Sequence, residues 1–345
     1  MPRKIDLITE LYKRTIKDIT SDSVAWRAFL HSAAYQYKYP FADQVLIHAQ
    51  RPTATACAEI NLWNTHFGRW VKRGATGIAL IDGRGDRPYL RYVFDVRDTH
   101  IREDRMDNPP FELWRIKPEY IPDVIEAVQN RFIGDGTARS SLSDTVVDAT
   151  IPLCTDNLAD YLQELMQERE GSFLEELDED NLRIRLFVTL QAGVAYTVLT
   201  RLGFHADDIV QSDGFEWVHE FNTPATANIL GAATSDISEI CLREIERAVR
   251  GVERSIRETN RTFDGQTEIE YNDGGKKEIG IGGNTHEHHV QDAERISDPE
   301  FGNARADEPS HREIRADETL VHEETPTGQL HDDSDGGQAE QLPSR

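Results

Sequence analysis

FADQVLIHAQRPTATACAEINLWNTHFGRWVKRGATGIALI, residues 41–81, followed after a short loop by YLRYVFDV, residues 89–96, decides how the front of this chain folds. Pro40 breaks the preceding segment, and Val45, Leu46 and Ala49 then fall on one side of a helix that Arg51-Pro52 ends. A short helix is expected from Glu59 to Phe67, with Gly68 suited to its C′ position. At Gly77 the period changes from helical to extended. Ile78-Ala79-Leu80-Ile81 leads into a loop at 82–88, and Leu90, Tyr92, Phe94 and Val96 then alternate on one face. That is the pattern of a β-hairpin. The Arg84-Gly85-Asp86 triplet invites an adhesion reading, but Gly and Asp are what a hairpin loop requires in any case.

Working outward, Ile5, Ile8, Leu11, Tyr12, Thr15, Ile16 and Ile19 recur at helical spacing and predict an amphipathic helix over 3–19. Ser21 or Asp22 caps a second helix that carries Trp26, Phe29, Leu30 and Ala33 on one side. Toward the C-terminus, residues 100–113 read as a charged, Pro-containing connector. A helix near 119–133 and a Gly/Ser/Asp-rich linker at 134–150 follow. Leu158, Tyr161, Leu162, Leu165 and Met166 mark one further helix, and Leu182 to Leu202 a strongly apolar one. A last long helix starts at Thr223-Pro224 and carries Ile237, Ile240, Cys241, Ile245, Ala248, Val249 and Val252. Beyond Glu258 the apolar pattern stops, and the tail lacks the apolar surface to offset the backbone entropy of ordering it. The expected fold class is an α+β N-terminal domain of several helices with a β-hairpin or small antiparallel sheet, then a mainly α-helical second domain and a disordered acidic tail. The boundaries are 1–113, a helix and linker at 114–150, 151–257, and 258–345.

The chain of 345 residues carries 38 Lys+Arg against 62 Asp+Glu, a net charge of −24. The distribution matters more than the sum. Residues 1–100 hold 15 Lys/Arg and 10 Asp/Glu, whereas the remainder holds 23 and 52. A basic front and an acidic back fit a front that contacts phosphate and a back that discourages loose association with duplex DNA. Cys57, Cys154 and Cys241 are far apart and form no CxxC, which fits a reducing compartment better than a disulfide framework or a zinc site. The opening MPRKIDLITELYKR lacks the apolar core of a signal peptide, and the apolar stretch at 188–199 is short for a bilayer span. These features predict a cytoplasmic protein without a membrane partner.

The chemistry is densest between Phe41 and Arg73. Aromatic residues (Phe41, Trp63, Phe67, Trp70) alternate with cations (Arg51, Arg69, Lys72, Arg73) and with donors such as Gln44, Thr53, Thr55 and Asn64. Single-strand binders use this mixture: cations follow the phosphates and flat rings accept unpaired bases. The expected roles are phosphate contact by Arg51, Arg69, Lys72 and Arg73, and base stacking by Trp70 and Trp63, with Thr55 in the same surface. Gly74 and Gly77 would shape a turn whose N–H groups approach phosphate. The bland alternative stands beside it. Trp63 and Phe67 lie four apart on a helix and suit a core, and the basic residues suit a solvated turn.

The order Gln44, Thr53-Ala54-Thr55-Ala56, Trp63, GRWVKRGATGIALI at 68–81 and YVFDV at 92–96 resembles the N-terminal domain of ArdC-type antirestriction proteins over roughly residues 20–98. The turn Val71-Lys72-Arg73-Gly74-Ala75-Thr76-Gly77 keeps the family's two glycines and basic pair but has Ala75-Thr76 where the family often has Glu-Lys. YPFADQVLIHAQRP, LWNTHFGRWVKRGATGIALID and FNTPATANILGAATSDISEICLREIE resemble, more closely, the front of LtrC-like proteins of integrative and conjugative elements. These resemblances imply an α+β fold that binds single-stranded DNA in conjugative transfer or antirestriction. They also imply helicase, relaxase or DNA-methyltransferase domains of the same element as partners.

ArdC-type proteins often add a zinc-peptidase-like domain, whose chemistry needs HExxH on a helix. His219-Glu220 is followed by Phe221-Asn222-Thr223, His286-Glu287-His288-His289 has the wrong spacing, and His322-Glu323 runs into Pro326. LRIRLFVTLQAGVAYTVLTRLGF resembles the helix after that motif but offers no carboxylate before Gly193-Val194-Ala195-Tyr196. The segment reads either as a degenerate, metal-free peptidase-like scaffold or as an unrelated helical domain. No phosphate-binding loop or nucleophile elbow is present. The expectation is a non-enzyme without metal or cofactor. A protein–protein adaptor that docks a helicase, relaxase or restriction factor through its helices is the alternative.

Overall fold

The computed structural model describes residues 2–83, 87–101 and 111–271, with side chains to 261. Helix α1 (Lys4–Ile19) opens at a reciprocal Arg3–Asp6 cap and buries Thr15, Ile16 and Ile19. Asp22, not Ser21, caps α2 (Ser23–Ala33): its carboxylate accepts from the Val24 and Ala25 N–H groups at 2.8 and 2.9 Å. Trp26, Phe29, Leu30 and Ala33 are all buried. Helix α3 (Phe41–Gln50) follows Pro40. Then come β1 (Cys57–Ala58), α4 (Ile60–Thr65), β2 (Arg69–Val71), β3 (Ile78–Asp82), β4 (Tyr89–Asp95) and β5 (Thr99–Ile101).

The expected hairpin is β3–β4, antiparallel, with Ile78 opposite Val93 and Ile81 opposite Leu90. Its loop residues 84–86, the Arg-Gly-Asp triplet, lie outside the described residues. β4 is the central strand of the order β1-β4-β3. Its alternation gives the sheet two buried faces. Val93 meets Tyr39, Leu46, Ile47, Ile78 and Leu80 on the α3 side, and Phe94 meets Trp63, Phe67 and Phe111 on the α4 side. The outer edge of β3 is covered by one side chain. The Gln50 amide accepts from the Ala79 N–H at 2.9 Å and donates to the Ala79 carbonyl at 2.8 Å, satisfying edge groups that would otherwise be open. β2 and β5 form a separate ribbon. The charged connector therefore begins later than its composition suggests, because His100 and Ile101 are strand and Phe111 and Leu113 pack around Trp63.

The rest is helical, in agreement with the expected fold class. The helices are α5 (Ile121–Val128), α6 (Leu142–Glu168), α7 (Glu179–Leu202), α8 (Ala206–Ile209) and α9 (Pro224–Tyr271). Two expectations need correction. The segment 134–150 is a linker only to Ser141, whose side chain caps α6 at the Asp144 N–H; from Leu142 on, Val146 and Ala149 face the core. Composition hid this because Asp144 and Asp148 face solvent while Thr145 and Thr150, polar in sequence, are buried with the core. Second, the tail does not begin at Glu258, since α9 continues as helix to Tyr271. Residues 272–345 lie outside the described residues.

Helices α6 and α9 flank α7, which is long and apolar enough to cross a membrane by length and composition. It is instead the central core helix, with Leu186, Leu190, Val194, Val198 and Leu199 fully buried. Its core also takes in Ile16, Trp26, Phe29 and Phe41 from the front helices. The boundaries expected at 113 and 151 thus fall inside one compact unit.

Candidate nucleic-acid interface

The β2–β5 ribbon holds most of the residues that the sequence singles out. Register places Arg69 opposite Ile101, Trp70 opposite His100 and Val71 opposite Thr99. Val71 packs into the cluster around Trp63. Strand alternation therefore puts Trp70 and His100 together on the opposite face. Trp70 is half-buried and His100 exposed. The chain then turns through Lys72, Arg73 and Gly74, all exposed. The Lys72 N–H donates to the Asp98 carbonyl at 2.8 Å and its ammonium to the Arg97 carbonyl at 2.6 Å, so the turn is held against β5. Gly74 has φ +84 with open space around it, a conformation glycine adopts without penalty.

Other expected contacts face inward. Trp63 is fully buried; its indole N–H donates to the Phe94 carbonyl at 2.9 Å and its ring meets Phe67 and Phe111 at 5.2 and 5.3 Å. A base cannot reach it, so Trp63 leaves the stacking set and belongs to the core. Gly77 has a different role from the one expected. A Cβ there would sit 3.0 Å from Phe94 Cζ and 3.2 Å from Tyr92 Cβ, so it permits close strand packing. Arg51 is paired with Asp98, which withdraws it from phosphate contact. Arg69 donates to the Thr99 hydroxyl at 2.7 Å, and partial burial lowers its guanidinium below its ordinary pKa. The Thr55 N–H donates to Asp95 at 2.7 Å.

Asp95 is the organising residue that sequence reasoning missed. It is fully buried and also accepts from the Arg97 N–H and Nε at 2.9 and 2.8 Å, locking residues 53–55 to the end of β4. His100 was missed as well; the only available signal was the short β-prone run Thr99-His100-Ile101. Asp95 at the end of β4 and Asp98 in the turn before β5 are paired to Arg97 and Arg51, so the carboxylates next to the ribbon are neutralised. Lys72 and Arg73 have no carboxylate partner among the described residues.

Among the described residues no three His, Cys, Asp or Glu side chains come together as a metal site. His219 lies beside the Glu216 carbonyl at 2.9 Å, and Glu220 pairs with Arg185 at 3.2 Å. His286, His288, His289 and His322 lie outside the described residues. The three cysteines are buried and free, and burial pushes the Cys154 and Cys241 thiols up to about 12.

No protein-family model, no curated protein and no solved structure matches this chain.

Proposed function

We propose that this chain is a non-catalytic single-stranded DNA-binding protein whose contact surface is the outward face of the β2–β5 ribbon and the turn after it. The supporting observation is Trp70, half-buried beside exposed His100, at the edge of a turn whose Lys72 and Arg73 have no acidic partner among the described residues. A half-buried aromatic ring at a basic turn can accept an unpaired base at about 1–3 kcal/mol. Lys72 and Arg73 take the phosphates, and the N–H groups around Gly74 lie at the same edge. Arg51, Arg69 and Thr55 shape the surface instead of contacting the strand. The resemblance to ArdC-type and LtrC-like proteins favours a role in the transfer or protection of a mobile element.

The test is fluorescence anisotropy of a labelled oligonucleotide titrated with the full chain, single-stranded against duplex. Two phosphate contacts predict a log–log salt slope of about −1.4, from roughly 0.7 per contact on a single strand. Lys72→Glu/Arg73→Glu should abolish binding, and Trp70→Ala should weaken it about tenfold without flattening the salt slope. Absence of single-strand binding at low salt, or binding untouched by the double variant, removes this reading.

A further inference from the structure

Helices α6 and α7 form an antiparallel pair whose inner sides meet the core, yet their outer sides do not close over each other. Between them runs a groove of about 610 Å³. Leu158 and Leu162 form its floor, and Met166, Ile184, Phe187 and Val188 its walls. Met166 is 40% exposed and Ile184 51%. On α6 the line continues one to two turns back to Ile151, 48% exposed and seven residues before Leu158. From Ile151 to Met166 the apolar line is about 22 Å long, at 1.5 Å per residue, the length of about four helical turns.

The rim is acidic. Glu179 lines the groove, and helical spacing sets three more exposed carboxylates beside the lining: Asp156 and Asp160 lie seven and three residues before Gln163 on α6, and Asp180 lies four before Ile184 on α7. Arg183, the cation in the described lining, is already paired with Glu179 at 3.0 Å. We infer that the α6–α7 groove is a docking site for a basic amphipathic helix of a partner protein.

The charge pattern selects this occupant over the others available. A second copy would bring the same acidic rim against itself. The chain's own segment 258–345 holds 22 Asp/Glu against 8 Lys/Arg and is repelled by the rim in the same way. An anionic lipid surface is disfavoured for that reason too. A helix with apolar residues at i, i+3, i+4 and i+7 and Lys or Arg on its flanks buries the exposed Ile184 and Met166 and neutralises the carboxylates. The groove lies on helices distinct from the ribbon, so it stands independently of the single-strand reading.

The probe is a labelled 16-residue peptide of Leu and Lys in that pattern, titrated into the full chain by fluorescence anisotropy. A Leu/Glu peptide of the same apolar pattern is the comparator. The Leu/Lys peptide should bind saturably and the Leu/Glu peptide should not. Ile184→Asp should weaken binding at least tenfold. This variant discriminates because it adds negative charge: attraction of a cation to an acidic protein would strengthen with it, whereas docking in the groove weakens. Ile184 is exposed, and unchanged circular dichroism and melting verify that the variant is folded. Asp156→Lys/Asp160→Lys should weaken binding and reduce its salt dependence. Glu175→Lys/Glu176→Lys, outside the groove lining, should retain binding that is still sensitive to Ile184→Asp. Equal binding by the Ile184→Asp chain, or by the Leu/Glu peptide, overturns the proposal. Concentration-dependent self-association lost in Ile184→Asp also overturns it and assigns the groove to a second copy.

Discussion

Gly231 lies where α9 passes the Phe41 ring at the start of α3, and a Cβ built there would stand 2.0 Å from Phe41 Cζ, far inside contact distance. Phe41 is itself 4% exposed and edges onto Phe29 at 5.5 Å, so it has no room to retreat. Gly231→Ala should therefore cost about 3 kcal/mol of stability by overpacking, read as a lower urea midpoint at unchanged slope. His48 is the residue that should make stability depend on pH near neutrality. Its Nδ1 is buried without a hydrogen-bond partner, its ring edges onto Phe29 at 5.6 Å, and burial lowers its pKa below the ordinary 6.5. The folded state thus prefers neutral imidazole, and the unfolded chain binds the proton first as pH falls. Its contribution is flat above 6.5, where both states are neutral, and destabilises progressively as pH drops from 6.5 through the depressed folded value. His48→Phe should flatten the stability–pH curve in that window relative to the parent chain; an unchanged slope would place the titration elsewhere. At this scale the sequence was half legible. Gly68 has the positive φ expected of a glycine that follows α4, +58, but the helix ends at Thr65, not Phe67, so it stands one position beyond C′; Trp26 and Phe29 are core as their spacing predicts. Trp63 and Trp70, equally aromatic and seven apart, are separated by the elements that carry them: Trp63 packs from α4 into the cluster under Phe94, and Trp70 sits on the separate β2–β5 ribbon.

The elements themselves follow from period and punctuation wherever the run is long. α1, α2, α7, α9 and the β3–β4 hairpin are all readable, because four or more residues repeat a face in each. β1, β2 and β5 have two or three residues each and carry no period. They exist because partners are near: β1 lies along β4, and β2 finds β5 across the turn at Asp98. Gln50 shows the same dependence on context. A glutamine at the end of a helix carries no signal, yet here its amide completes the outer edge of β3. Gln50→Leu should leave the Ala79 N–H and carbonyl unpaired and cost about 1–3 kcal/mol, with faster hydrogen exchange at the Ala79 amide than elsewhere in β3. Uniform exchange along the strand would mean that water replaces the side chain without loss.

At the scale of the whole molecule, front and rear are joined by more than apolar contact. The Tyr37 hydroxyl donates to Glu246 at 2.5 Å, and Lys38 lies 3.0 Å from the same carboxylate. Trp114 donates to Tyr37 at 3.1 Å, and Arg201 stacks on Trp114 at 3.8 Å. Burial by itself would push the Glu246 carboxyl up, but Lys38, the Tyr37 hydroxyl and Arg250 outweigh it and hold it below the usual carboxylate value. Gln44 adds a bond to Ser235 at 2.8 Å. Residues 1–113 expressed alone should therefore fail to fold as a monomer, because Trp26, Phe29 and Phe41 lose α7 and α9. Circular dichroism and gel filtration would read this as loss of cooperative melting or as aggregation, and a sharp melt of that fragment would contradict it. The sequence by itself determined the fold class, most helices, the hairpin and the basic-front, acidic-back charge pattern, since each depends on residues close in the chain. Only the tertiary structure decided that Trp63 is fully buried while Trp70 is half-buried, that Arg51 is spent on Asp98, and that front and rear share one core. Those outcomes depend on groups tens to hundreds of residues apart, and no local period or propensity encodes which of them meet.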